Sequence, residues 1–577
     1  YREVAETLQA AGGDAVGPLA GVADRALRLV GRPGLSELQA ARLALLARVE
    51  AERVALFGDR ARLDEAKGLV ARARAQASAQ ADTRVADAWL QWADGSTPDV
   101  ALAALDASTD TAPLAFARAW LNHAAGRDDQ ALDFVRRAIH LDDRSVLARK
   151  LLADLKAERG ENSAALEEYA DILTRLAPEH VDTQIAQARL RIEVNKRAGE
   201  AVTALKGLVD QAQGLQLAPR QLAAVHDSLG RYHARQGDLG SARDAYRRAM
   251  EAAPEDPRFS TGLARLDLDE FKLDQAEVVL RKAAEADPRS ASYRGLLARA
   301  RMLRGDAAGA LRELGAVSRL DAEGALLKGR ALLDLDKPRE AEDAFEQALR
   351  LDASLLDARL YRQLAAFVQG RQRRIILEDL RALRGKPPQE DQRLLDRALP
   401  FRVFADALAA DNRRNEADDE YRRAIDVDPK DALAHTGRCR LAAKALAARE
   451  ALGHCRKALA INPFHLPTAR LAAEIGEAYM DQGAVVAALK PLTEELEPED
   501  LRRLARAYVA MGDLKRAQGL AERPETEDAS RRAIQGAVDL AEGKLRAAEQ
   551  ALAPVTEQLP RDPWAQLQYG HLLLQMG

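Results

Sequence analysis

The stretch Leu229–Pro254, LGRYHARQGDLGSARDAYRRAMEAAP, holds the pattern that decides the fold. Apolar residues recur on either side of Gly237 at i, i+3, i+4 and i+7, which predicts two helices. In the second run a small residue, Ala242, precedes a large one, Tyr246, by four positions. Pro254 then ends the run, since proline cannot continue the helical hydrogen-bond ladder. The stretch therefore predicts two helices joined by a short turn.

This small-then-large pair recurs along the chain, with a step of 34 residues from Ala242 to Ala276 and again to Ala310. The other pairs are Ala131 with Val135, Ala165 with Tyr169, Ala276 with Leu280, Ala310 with Leu314, Ala341 with Phe345, Ala417 with Tyr421, and Ala451 with Cys455. A fixed period of this length indicates stacked helical hairpins, each of which buries its apolar face against its neighbours.

Glycines stand at the turn between the two helices of many units. A glycine there can take the left-handed conformation that ends a helix, and the small residue five positions later lets the second helix approach closely. The glycines predicted to have this role are Gly126, Gly160, Gly237, Gly305, Gly483, Gly512 and Gly543.

The pattern resembles the tetratricopeptide repeat (TPR) superfamily, and the match extends over about residues 115–565. The resemblance implies an all-α fold, a right-handed α-solenoid (superhelix) of tandem helix-turn-helix hairpins. We expect divergent helical repeats in residues 1–88, a first half of the array in residues 89–384 and a second half in residues 391–577. The segment 385–390, GKPPQE, is a candidate hinge between the halves.

The ends of the sequence suggest a longer protein. The first residue is Tyr1 rather than Met, which indicates a fragment or a processed chain. Tyr569-Gly570 and Gly577 repeat the spacing of Leu229-Gly230 and Gly237, so we expect the array to end within an incomplete repeat. An uncapped last helix offers a route to self-association.

Composition and motifs exclude several classes of function. The 577 residues are 47% apolar and 4% aromatic with a net charge of −4, which argues against a chain drawn as a whole to nucleic acid or anionic lipid. No apolar run is long enough to insert into a membrane. Phosphate-binding loops, HExxH, GxSxG and kinase motifs are missing from the sequence. We therefore expect no enzyme activity, no catalytic residues and no cofactor.

One cluster contains residue types that ligate metals: His435, Cys439, His454 and Cys455. His435 and Cys439 share a helix face and Cys455 takes the large position of the next helix, so these three can converge, whereas His454 is expected to point elsewhere. The spacing is not that of a zinc motif. Packing of reduced cysteines in the core, a Cys439–Cys455 disulfide and a metal site all remain open, and we assign no metal site.

In the resembled family the first helix of each repeat lines the concave groove, and its ninth position faces the ligand. Residues that fall at this position are Trp120, Arg231, Arg265, Arg299, Arg330, Arg440 and Arg506. The arginines would pair with carboxylates of an acidic peptide, and Trp120 would be an aromatic anchor. Alternatively the arginines form a solvated face neutralised by Asp227, Asp269 and Asp334, and Trp120 belongs to the core.

The resemblance implies a non-catalytic scaffold that binds one or more partner proteins or peptides in the groove. We expect such a scaffold to work in a larger bacterial assembly for motility, signalling or the cell envelope. One alternative is a periplasmic scaffold of an exopolysaccharide-export or outer-membrane assembly system. Another is the substrate-selecting arm of an enzyme whose catalytic domain lies outside this chain. The sequence leaves the compartment open between cytoplasm and periplasm.

Overall fold

The computed structural model describes residues 36–57, 62–78, 80–105, 110–194, 197–215, 217–254, 256–287, 290–317, 320–384, 394–523, 526–558 and 560–577. Within these ranges the chain forms 31 α-helices, three short 3₁₀ or π segments and no β-strand. The predicted all-α solenoid of helical hairpins is confirmed. The segment 385–390, predicted as a hinge, lies outside the described residues, as do residues 1–35 of the divergent N-terminal region.

The chain divides into two compact units. Unit 1 comprises Tyr1–Leu266 with Glu285–Asp287, and unit 2 comprises Asp267–Ala284 with Pro288–Gly577. The domain limits predicted from the sequence, with a hinge at 385–390, stay a prediction.

The described part of unit 1 contains twelve complete helices, and a thirteenth runs across its end. They are α1 (Ser36–Phe57), α2 (Leu63–Ala77), α3 (Ala81–Ala93), α4 (Pro98–Ala103), α5 (Ala112–Ala124), α6 (Asp128–Leu141), α7 (Val146–Glu158), α8 (Asn162–Asp171), α9 (Val181–Glu193), α10 (Ala198–Asp210), α11 (Pro219–Arg235), α12 (Leu239–Ala252) and α13 (Ser260–Asp269). From α5 to α12 consecutive helices pack in pairs as four hairpins.

Unit 2 contains the remaining helices, and from α15 to α30 they pack as eight hairpins. They are α14 (Leu273–Ala286), α15 (Ala291–Arg304), α16 (Ala307–Gly315), α17 (Ala322–Asp334), α18 (Pro338–Leu351), α19 (Leu356–Val368), α20 (Arg373–Arg384), α21 (Leu399–Ala410), α22 (Arg414–Val427), α23 (Ala432–Lys444), α24 (Ala448–Ile461), α25 (Leu466–Ala478), α26 (Gln482–Leu489), α27 (Pro498–Ala510), α28 (Leu514–Ala521), α29 (Asp528–Ala541), α30 (Leu545–Gln558) and α31 (Pro563–Met576).

The repeated small residue of each second helix is fully buried. Ala131, Ala165, Ala242, Ala276, Ala310, Ala341, Ala417 and Ala451 all have 0% of their surface exposed. The large residue four positions later is buried as well, whether it is a valine, a tyrosine, a leucine, a phenylalanine or a cysteine. The sequence repeat thus marks the contact between the two helices of a hairpin, as predicted.

Glycines on first helices make room for the large residue. A Cβ atom on Gly230 of α11 would lie 2.6 Å from the Tyr246 ring, and one on Gly262 of α13 would lie 2.3 Å from it. Tyr246 of α12 is therefore held between two helix backbones. Gly329 meets Phe345 in the same way, with 2.3 Å between its Cβ position and the ring. Contacts this close are possible only where the side chain is a hydrogen atom.

Six of the seven glycines predicted at the turns have φ between 76° and 79°, the left-handed conformation that ends the first helix. Gly483 is the exception, and that prediction was wrong. It lies inside α26, and Met480 takes the left-handed conformation in its place with φ 58°. The turn geometry of the repeat is therefore imposed even on a residue for which this conformation is costly.

Replacing Gly230 by alanine tests the close approach. We expect Gly230→Ala to lower the free energy of unfolding by about 1–3 kcal/mol because the new methyl group overlaps the Tyr246 ring. Gly207→Ala in α10 is the matched control. No atom lies within 4 Å of its Cβ position, so the gain in helix propensity should raise stability by about 0.5–1 kcal/mol. Urea unfolding followed by circular dichroism measures both, and equal midpoints for the two variants would contradict the packing described.

Candidate partner-binding surface

The seven residues predicted to face a ligand lie on seven different helices, and we call this set the ninth-position column. Trp120, Arg231 and Arg265 lie in unit 1, on α5, α11 and α13. Unit 2 holds the rest of the column, on α15, α17, α23 and α27: Arg299, Arg330, Arg440 and Arg506.

Arg231 in unit 1 is paired within its own unit. Its Nε donates to Asp227 Oδ2 at 2.8 Å, and Nη1 lies 3.6 Å from Glu193 Oε1. Burial opposes the charge of Arg231, but the two carboxylates outweigh it and raise its pKa. This arginine is held by acids of the chain, as the alternative interpretation of the column proposed.

Trp120 is the centre of a cluster of indole rings in unit 1. Its ring centroid lies 5.4 Å from that of Trp89 and 5.2 Å from that of Trp92, in edge-to-face arrangements. Trp89 is completely buried, while Trp120 is half-buried against the core. Trp120 thus contributes to packing between α3 and α5 and keeps part of its surface in contact with solvent.

The column residues of unit 2 differ from one another in their surroundings. Arg299 donates from Nη2 to Asp269 Oδ1 at 2.5 Å, a pair that the sequence suggested. The guanidinium of Arg330 lies over the Tyr361 ring, 5.4 Å from its centroid. Arg440 is exposed. The column is therefore not one uniform strip of available guanidinium groups.

Two aspartates occupy the same place in other repeats, and the sequence analysis missed them. Asp154 and Asp406 stand 15 residues before Tyr169 and Tyr421, the spacing that separates Arg231 from Tyr246. Each accepts a hydrogen bond from the hydroxyl of its tyrosine at 2.5 Å. A search at this spacing, rather than a search for arginines, would have found them.

Asp406 lies in the part of unit 2 that also contains Asp334 and Arg440. Burial raises the pKa of Asp334, and the charge of Asp406 raises it further, while Arg330 and Arg440 oppose the shift. Burial likewise raises the pKa of Asp406, against the Tyr421 hydrogen bond and Arg440. Acidic and basic groups balance here, so this part of the column offers no net positive charge.

Arg506, the C-terminal member of the column, lines a cleft in unit 2. The cleft has a volume of about 440 Å³ and lies between α27 and the segment that leads into α31. We call it the basic cleft. Its charged lining consists of Arg502, Arg503, Arg506, Arg561, Glu499 and Asp562.

Arg506 is fixed in the wall of the basic cleft. Its Nη2 donates to both Asp562 oxygens, at 2.6 and 2.7 Å, and its guanidinium lies 5.0 Å from the centroid of the Trp564 ring. Asp562 also accepts from the backbone N–H of Trp564 at 3.0 Å, at the start of α31. Burial lowers the pKa of Arg506, and the neighbouring charge of Arg502 adds to this, although Asp562 opposes it.

The other arginines of the cleft differ in their pairing. Arg503 donates from Nε to Glu477 at 2.8 Å and from Nη1 to Asp500 at 3.2 Å. Arg502 and Arg561 form no ion pair with any residue that the structure describes. The Nε atom of Arg502 and that of Arg506 are buried without an acceptor. The cleft therefore has more N–H donors and positive charge than its own acids satisfy.

Cys439 and Cys455 are bonded to each other and join α23 to α24, with Cα atoms 5.3 Å apart and both residues fully buried. Of the three alternatives left open by the sequence, the structure contains the disulfide. His454 does not point elsewhere as expected. It is buried and stacks on His435 with 6.3 Å between ring centroids, because both rings lie in the hairpin interface. The described residues contain no group of three or more potential ligands for a metal.

No helix in the described ranges has both the length and the hydropathy that a transmembrane segment requires.

A buried carboxyl group beside the column makes stability depend on pH. Asp357 of α19 is 3% exposed and accepts a hydrogen bond from the backbone N–H of Leu395 at 2.8 Å. Burial raises its pKa from 3.8 to about 6, and the charge of Asp396 adds to the shift. Because the folded state holds this proton more tightly than the unfolded state, the contribution of Asp357 to stability falls as the pH rises from about 4 to about 6.

We expect Asp357→Asn to stabilise the protein at pH 8 by up to about 3 kcal/mol, since the neutral amide can still accept from Leu395. The gain should shrink as the pH falls below 6 and disappear near pH 4. Thermal melting of wild type and variant at pH 4.5 and pH 8 measures it. A difference that is the same at both pH values would contradict the assignment.

Two family models described as tetratricopeptide repeat match the chain, over residues 233–300 and residues 322–355. Among curated proteins, "Cellulose synthase operon protein C" of Pseudomonas fluorescens (strain SBW25) is 30% identical over 168 residues, which is 28% of this chain. The chain spans only 13% of that relative's length.

Two solved structures are similar over most of the chain, at low values of both identity and TM-score. The Cut9–Hcn1 hetero-tetramer of APC/C covers 78% of this chain and 92% of its own, with 15% identity and a TM-score of 0.39. A monomeric mutant of IFIT1 with Gppp-AAAA covers 71% and 90%, with 18% identity and a TM-score of 0.32.

The matched residues lie on α11 to α18, and the same buried alanines and close helix contacts occur in hairpins before and after them. Protein–protein interaction is the usual role of such repeats. The chain contains tetratricopeptide repeats within a tandem array of helical hairpins.

Proposed function

We propose that this protein is a non-catalytic scaffold that binds an acidic segment of a partner protein at the basic cleft. The observation that carries the proposal is the state of Arg502 and Arg561, which line the cleft and have no ion pair among the described residues. A carboxylate is the complementary ligand, because its two oxygens accept in parallel from one guanidinium group.

The other positions of the column are less available to an acidic ligand than the sequence suggested. Arg231 and Arg299 are paired with Asp227 and Asp269, so an acidic ligand would have to displace an existing carboxylate there. An exchange of one carboxylate for another forms no additional ion pair and therefore yields little net energy. The cleft, by contrast, would gain a new pair, so acidic partners should prefer it to the other column positions.

The chemistry of the cleft favours a protein side chain rather than a bulky apolar group. Trp564 provides a flat aromatic surface beside Arg506. Interfaces often combine such an aromatic surface with arginine. A short stretch of glutamates or aspartates would supply several acceptors to this cleft at once.

The double variant Arg502→Glu with Arg561→Glu tests the proposal without breaking an ion pair of the described chain. The probe is a fluorescent peptide of twelve glutamates, and its affinity is measured by fluorescence anisotropy at two salt concentrations. We expect the double variant to bind at least about tenfold more weakly than wild type, a loss of about 1.4 kcal/mol. The salt dependence of binding should also fall, since fewer charges take part.

The matched control is Arg449→Glu with Arg532→Glu. Both arginines are exposed in unit 2 and, like Arg502 and Arg561, form no ion pair with a described residue. The control changes the net charge by the same amount but lies outside the cleft. Equal losses of affinity in the two double variants would show a general charge effect and would overturn the cleft as the binding site.

A second, more specific role is that of a cell-envelope scaffold in an exopolysaccharide-export system. Two observations favour it. The first is the similarity of 168 residues to a cellulose synthase operon protein. The second is the disulfide Cys439–Cys455, since disulfides persist in oxidising compartments such as the periplasm and are rare in the cytosol.

Trapping thiols in intact cells tests the envelope assignment. The cells are acidified, and the denatured protein is treated with a maleimide that adds mass to each free thiol. We expect no mass shift unless a reductant is added first, together with release of the protein in the periplasmic fraction. Two free thiols in protein from the cytoplasmic fraction would contradict this role and would leave the scaffold proposal to be judged by the cleft variants.

A further inference from the structure

Hairpins of a solenoid normally contact only their immediate neighbours, but one point in unit 2 departs from this rule. The turn that ends α15 reaches the loops around α25, and four complete hairpins, α17 to α24, lie between the two. Arg304, the last residue of α15, is at the centre of this contact, and its side chain is 6% exposed. We call the set of interactions described below the Arg304 contact.

Arg304 joins acids from two separate parts of unit 2. Its Nη2 donates to Asp274 at 2.5 Å and its Nε donates to Glu277 at 2.8 Å, both on the preceding helix α14. Its Nη1 donates to Glu495, which follows α26 and stands 191 residues further along the chain. The guanidinium also lies 5.3 Å from the centroid of the Phe464 ring, in the loop between α24 and α25.

The backbones approach closely at the same place. Asn462 donates from Nδ2 to the carbonyl oxygen of Leu303 at 2.7 Å, and Asn462 is 3% exposed. Gly305 has φ +79°, and a Cβ atom there would lie 2.2 Å from Pro467 Cδ. The glycine at this turn is therefore needed twice, for its conformation and for the lack of a side chain.

The charges make this contact specific. Burial disfavours the charge on Arg304, but Glu277, Asp274 and Glu495 outweigh it and raise its pKa. Arg304 and Glu277 are both buried, so removing either one leaves the other charge buried without its partner, which is strongly destabilising. A neutral or smaller residue at position 304 would lose both the Glu495 bond and the stacking on Phe464.

We propose that the Arg304 contact is a latch that holds the hairpins from α17 to α24 in a closed curve and whose opening increases the spacing between their first helices. Those first helices carry Arg330, Asp406 and Arg440 of the ninth-position column. The latch is independent of the acid-binding proposal, because the basic cleft is built from α27 and the segment before α31.

The opening can be measured in the full chain by pulsed electron paramagnetic resonance. Spin labels are placed at Arg312→Cys on α16 and Lys490→Cys after α26, two exposed positions on either side of the contact. The two native cysteines are bonded to each other and do not take the label. Wild type should give one narrow distribution of distances between the labels.

Two variants open the latch from opposite sides. Arg304→Ala removes its centre, and the double variant Asn462→Ala with Glu495→Gln removes the partners that reach it from the distant loops. We expect both to broaden the distribution and shift it to longer distances by at least about 5 Å, the rise of one helical turn. If Arg304→Ala loses helical content, the double variant decides, since α14 and α15 keep their own pairs in it.

Arg294→Ala is the matched control, because Arg294 lies on the same helix and pairs at 2.7 Å with Glu313 of its own hairpin. It should leave the distance distribution of wild type unchanged. The latch is overturned if the folded double variant keeps the narrow wild-type distribution. It is also overturned if Arg294→Ala shifts the distribution as far as the latch variants do.

Discussion

The architecture depends on the distance of closest approach between consecutive helices. Tyr246 is enclosed by the backbones of two first helices at Gly230 and Gly262, where a single methyl group would overlap its ring. Eight alanines of the second helices are completely buried at the corresponding contact. Because interiors pack as densely as organic crystals, each hairpin can stack on the next only where these positions stay small. This steric requirement explains the repeat of small and large residues in the sequence.

The sequence predicts those features that this steric requirement imposes on every hairpin. The hairpins, the buried alanines and most turn glycines follow from local patterns of small and large residues. The exception at the turn before α26 is instructive, since Met480 adopts the conformation expected of glycine and Gly483 lies within the helix. Stacking against neighbouring helices holds Met480 in a conformation that its own backbone preference disfavours. No pattern within one repeat could indicate this.

The pairing of Arg231 and Arg299 with aspartates was among the alternatives that the sequence offered. The state of the other column positions was not predictable, because it depends on which groups the neighbouring helices present. The same column position is paired to an aspartate at Arg299, stacked on a tyrosine at Arg330 and replaced by an aspartate at Asp406. The basic cleft and the Arg304 contact join residues that are more than 50 positions apart in the sequence. The repeated residues thus determine the stacking of the hairpins. The residues that differ from repeat to repeat determine the distinctive surfaces of this chain.

The central claim is that an acidic segment of a partner protein binds at the cleft where Arg502 and Arg561 have no ion pair with a described residue. The most direct measurement places a photo-reactive benzoylphenylalanine at position 502 or at the control position 449 in the native cell, followed by mass spectrometry of the cross-linked peptides. The account predicts that position 502 captures a peptide rich in aspartate and glutamate and that position 449 does not. Capture of the same peptides at both positions, or of peptides without acidic residues at position 502, would contradict it.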